Sequence, residues 1–118
     1  MKYLCLIYAD AKVLDAMSKS EMDALDEEHL AYDDELRNSG QFIVAEALKS
    51  AQEASIVRVR KGKISVTDGP FAETKEQLGG IFLIEARDLN EAIQIASKIP
   101  AARMGTIEVR ATRELMKQ

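Results

Sequence analysis

The fold predicted by the sequence is α+β: a ferredoxin-like sandwich, β-α-β, then a β-hairpin insert, then β-α-β. Three observations predict it. Lys2–Ala9 and Leu78–Ala86 are apolar on both alternating faces, as strands covered on two sides should be. Each is followed by a stretch whose apolar residues recur at helical steps of three and four. Between these units, Lys61-Gly62 separates two short runs of branched residues, a hairpin signal.

The elements follow in order. In Lys2–Ala9, Tyr3, Cys5 and Ile7 face one way and Leu4, Leu6 and Tyr8 the other. Ser18 or Ser20 caps the first helix, and Glu21 stands three residues after Ser18, as in a capping box. Met22, Leu25, His29, Tyr32 and Leu36 form its stripe, and Gly40 closes it. Phe42–Ala47 is a strand. Ala54–Arg60 and Lys63–Thr67 form the hairpin, and Asp68-Gly69-Pro70-Phe71 is a tight turn with polar residues continuing to Gln77. After Leu78–Ala86, Asp88 caps a second helix with the stripe Leu89, Ala92, Ile93, Ala96 and Ile99, stopped by Pro100. Thr106–Arg113 closes the sheet.

Two helices cover one face of such a sheet, yet its best strands are apolar on both. The uncovered face predicts a homodimer packed sheet against sheet.

The 118 residues make a single domain, 1–118, with a formal charge of −4. That charge argues against nucleic acid and anionic membranes as partners. Cys5 has no second cysteine to pair with and reads as a reduced core thiol. Met1–Asp10 lacks the marks of a signal peptide, and no apolar run is long enough to span a bilayer, so a cytoplasmic protein is expected. The charge is uneven. Residues 1–55 carry five basic and twelve acidic side chains, and from Glu21 to Glu35 no Lys or Arg intervenes. A solvated helix face explains this, and an acidic docking surface is the alternative.

Chemistry centres on His29, the sole histidine. Its place on the apolar stripe turns it toward the sheet or a cleft beside it, where imidazole serves as general acid or base. A packed histidine bonded to backbone is the alternative. In the loop Asp68–Gln77, Gly69 and Pro70 fix a turn around which Asp68, Glu73, Thr74, Lys75 and Glu76 gather, a place where binding groups collect. A tight turn also needs Asp, Gly and Pro for its own reasons. One histidine and one cysteine leave zinc and copper without ligands, and no cofactor motif is present, so neither metal nor cofactor is expected.

Asp68–Gly80, DGPFAETKEQLGG, resembles the signature of the DGPF proteins, a branch of the YCII-related family. The likeness extends through KYLCLIY, ELRNSG, VRVRKGKISVTDGPF and KIPAARMGTIEVR. It implies a ferredoxin-like fold that dimerises into an α+β barrel, related to barrels that bind organic molecules between sheet and helices. It also implies an acid–base pair of histidine and aspartate, with His29 matching the histidine and Asp68 given the aspartate's part. A small-molecule cleft follows, in which Lys75 holds an anionic group and Glu73, Thr74 and Phe71 complete the binding set. Isomerisation, elimination or hydrolysis without a cofactor is the chemistry expected. The resemblance also implies a non-catalytic alternative, a ligand sensor or accessory associated with extracytoplasmic-function sigma factors. A structural dimer with a vestigial cleft is the third reading.

Overall fold

A computed structural model describes residues 1–116. Strand β1, Lys2–Asp10, alternates as the sequence demands, with Tyr3, Cys5 and Ile7 buried and Leu4, Leu6 and Tyr8 half-buried. A helical turn, α1 (Ala11–Asp15), then starts where Asp10 Oδ1 accepts from the Lys12 N–H at 2.9 Å. Five residues are too few to carry an apolar stripe, so this turn is not expected from the sequence pattern.

Helix α2, Lys19–Asn38, begins at Ser18, the first of the two candidate serines. Ser18 Oγ accepts from the Glu21 N–H at 3.1 Å, and Glu21 Oε1 accepts from the Ser18 N–H at 2.9 Å. This capping box satisfies two N–H groups that the first turn leaves without helical partners. Leu25, Tyr32 and Leu36 of the stripe are buried. Strand β2 spans Phe42–Ala47, and the hairpin pairs β3, Ser55–Arg60, with β4, Lys63–Asp68. Lys61 and Gly62 both have positive φ, 51° and 75°, the two left-handed positions that a tight two-residue hairpin turn requires. Strand β5, Glu76–Glu85, helix α3, Leu89–Ser97, and strand β6, Thr106–Ala111, complete the order. Asp88 caps α3 through its Oδ1, 2.9 Å from the Glu91 nitrogen. Ile99 lies beyond α3, yet it is fully buried just before a 3₁₀ turn that opens at Pro100.

The main sheet is antiparallel in the order β2-β5-β1-β6, the ferredoxin-like arrangement. Helix α2 lies along β2 and α3 along β6. Tyr32 and Leu36 of α2 and Ala92, Ile95 and Ala96 of α3 pack against Tyr3, Cys5, Ile7, Phe82 and Ile84, so a single core fills one side of the sheet. Leu89 and Ile93, expected on the second helix's stripe, are exposed, and Ile95 takes their place. Tyr32 ties the helices together by donating its hydroxyl to the Ile95 carbonyl at 2.6 Å. Cys5 is buried without a partner, and that burial pushes its thiol up to about 11.

The opposite face carries neither helix. Leu4, Leu83 and Val44 make one cross-strand row there, and Leu6 and Ile81 sit side by side in the next. The hairpin stands apart as a second sheet. Val57 lies opposite Val66 and Val59 opposite Ile64 on one of its faces, and all four are exposed. The result is a slab of 47 × 46 × 19 Å with a radius of gyration of 16.2 Å. A compact chain of this length has a radius of about 13.5 Å. Among the described residues, no helix is long and apolar enough to cross a membrane.

Candidate functional site

One residue of β5 organises the ground beneath α2. Ile7 lies opposite Gly80, but Tyr8 lies opposite Leu78, so Gly79 is an extra residue, a β-bulge. The bulge reverses the alternation of β5. Gly80, Phe82 and Ile84 face the helices with Ile7, while Leu78 joins Tyr8 on the open face. Gly80 is confined by backbone, because a Cβ there would stand 2.9 Å from the Glu46 carbonyl oxygen. With no side chain at 79 or 80, a cavity of about 380 Å³ remains between α2 and this end of the sheet. Asp26, His29, Leu30 and Asp33 of α2 form one wall. Ile7, Ala45, Glu46, Ala47, Gly79, Gly80 and Phe82 form the other.

His29 is half-buried in that wall, its ring 6.1 Å from the Phe82 ring and tilted by 35°. Burial holds its pKa below the usual 6.5. The charges of Asp33, Asp26 and Glu28 oppose the shift, and Arg103 adds to it. The imidazole is therefore neutral at neutral pH, the form that accepts a proton. Asp33 follows one turn later on the same helix face. Its Oδ1 is buried with no hydrogen-bond partner among the described residues. Burial raises its pKa, as does Asp34, while Arg37 and His29 pull it down. Asp33 was overlooked within the acidic run, although its spacing of four from His29 is the signal that finds it.

A half-buried carboxyl with one oxygen left without a partner among the described residues costs stability when ionised. Its folded pKa exceeds the unfolded 3.8, so stability falls as pH rises through that window. Asp33→Asn should therefore raise Tm at pH 7, and the gain should shrink as the pH is lowered toward 4. Thermal melts across that range check it.

The candidate residues of the loop lie elsewhere. Phe71 and Thr74 line a second cavity of about 690 Å³ with Tyr8, Leu48, Ile56 and Leu78. Tyr8 and Leu78 belong to the open face, so the two cavities lie on opposite sides of the sheet. Thr74 donates its hydroxyl to the Glu76 carbonyl at 2.6 Å, and Phe71 lies 5.7 Å beneath the Arg58 guanidinium. Asp68 ends β4 opposite Ser55, exposed. Asp68, Glu73 and Lys75 line neither cavity. Within one chain the expected meeting of His29 with Asp68 therefore does not occur. The physical reason is that α2 covers one face of the sheet while the loop roots at the other.

A solved structure with the same fold is 5-chloro-2-hydroxyhydroquinone dehydrochlorinase (TftG) from Burkholderia phenoliruptrix AC1100, in complex with 2,5-dihydroxybenzoquinone. It superposes with a TM-score of 0.57 at 16% identity, over 96% of this chain and 94% of that one. A Rhizobium meliloti (strain 1021) protein, "Uncharacterized protein R00369", is 36% identical over 112 residues, 93% of this chain and 90% of the relative. The YCII-related domain matches residues 1–116, nearly the whole chain. With the sheet order and the helix-borne histidine already in place, these matches show that the chain belongs to the YCII-related family.

Proposed function

We propose that the cavity beneath α2 is an acid–base site for a small organic molecule, working without a cofactor. The observation that carries this reading is His29, half-buried in a cavity one turn from a carboxylate with a free acceptor. His29 takes a proton from the ligand, and Asp33 orients the ligand or stabilises the imidazolium that forms. Asp33 replaces Asp68 in this role because it shares the cavity with the histidine. Family membership supports a small-molecule role. The dehydrochlorinase of similar fold is named for loss of hydrogen chloride, an elimination that turns on proton removal. Isomerisation and hydrolysis make the same demand on the protein. The test is proton exchange in D2O with a panel of cyclic ketones, read by proton NMR. Deuterium should enter carbons beside the carbonyl with the wild type and not with His29→Ala. Equal exchange by both would refute the role.

We also propose that the protein works as a homodimer packed sheet to sheet. The thin slab, its uncovered rows of Leu4, Leu83, Val44, Leu6 and Ile81, and the second cavity on that face support this. The sigma-factor association has only the acidic face of α2 behind it. Much of that charge is engaged internally, Asp23 with Lys19, Asp34 with Arg37 and Glu28 with Arg103.

A further inference from the structure

The charge of the cavity limits what it can take. The ionisable side chains along its wall are Asp26, His29 and Asp33, and among the described residues no Lys or Arg joins them. Glu46 lies beside the cavity through its backbone, since its register partner Ile81 places its side chain on the open face. Arg103 is near His29, but its guanidinium is held by Glu28 at 2.6 Å. An anion entering here meets two carboxylates in a partly dry space and gains no cationic partner. A donor group finds the reverse. Asp33 is half-buried, and its Oδ1 has no hydrogen-bond partner among the described residues, so an N–H or O–H brought to this carboxylate supplies a bond the fold leaves unmade. The remaining lining of Ile7, Ala45, Phe82 and the two glycines suits a small apolar body.

Resting on the acid–base reading of this site, we propose that the cavity selects a small, largely apolar molecule presenting a hydroxyl or ammonium donor to Asp33, and excludes carboxylates and phosphates. Asp26 and Asp33 are its specificity determinants. This departs from the anion-holding part expected of Lys75, which stands outside the cavity.

Benzyl alcohol, benzylamine and benzoate share one ring and differ in the charge of the head group, so together they test the proposal. Binding is followed through the NMR signals of the single histidine. The alcohol and the amine should bind at least about tenfold more tightly than benzoate, the scale of one unfavourable charge contact. Asp26→Asn with Asp33→Asn should narrow that gap, chiefly by weakening the two donors. A stronger response to the alcohol identifies a hydroxyl ligand, and a stronger response to the amine an ammonium. Benzoate binding as tightly as the alcohol would overturn the selectivity and leave the acid–base site standing. If none of the three moves the His29 signals, both the selectivity and the site are refuted.

Discussion

Replacing His29 by glutamine should lower turnover by about 10²- to 10⁴-fold, the usual contribution of a positioned general acid or base. Binding should change much less, because the rest of the wall is apolar and unaltered. The effect follows from what glutamine keeps and loses. Its size and its hydrogen-bonding capacity remain, but it cannot take up a proton at any physiological pH. Steady-state kinetics on whichever compound shows deuterium exchange would therefore lose kcat and hold KM within a few-fold. A matched melting temperature would show that the variant remains folded. A fall in KM-dependent binding with kcat intact would assign His29 to packing or recognition, and proton transfer would then lie elsewhere.

The second large effect concerns assembly. Leu83 sits between Leu4 and Val44 in the open-face row, so a charge placed there enters a sheet-to-sheet interface once from each copy. Burial of one leucine contributes about 2 kcal/mol, and two-fold symmetry counts it twice. Leu83→Lys should therefore weaken dimerisation by at least about 10³-fold, before any cost of burying the ammonium. Light scattering at micromolar concentration should find a dimer for the wild type and a monomer for the variant. Ile93→Lys, on the exposed side of α3, should leave the dimer intact. A monomeric wild type would overturn the assembly and leave the cavity beneath α2 as it stands, since its wall is formed by α2 and the sheet of the same chain.

The parts of the fold that were legible in the sequence are those set by local chemistry. The Ser18 and Glu21 capping box, the Asp88 cap, the Lys61-Gly62 turn and the two-faced strands depend on neighbours a few residues away. His29 was found because a helical stripe dictates which way its residues point. The bulge at Gly79 was not legible, because it exists only in the register between β1 and β5. That register decides which face Leu78 and the loop before it occupy. With the face unknown, Asp68 was an open choice for the partner of His29, and its signature position favoured it. Asp33 was within reach by spacing alone, yet the acidic residues around it masked its place beside His29 on the cavity wall.

The proposed site requires His29 to be a neutral base coupled to Asp33 inside the cavity. As the only histidine, its imidazole gives an unambiguous NMR titration. The midpoint should fall below 6.5, because burial outweighs the surrounding acids. It should fall further in Asp33→Asn, because the Asp33 charge is the first of the influences that raise it. A midpoint at or above 6.5 that Asp33→Asn leaves unmoved would contradict the account, placing the imidazole in solvent and out of reach of its carboxylate.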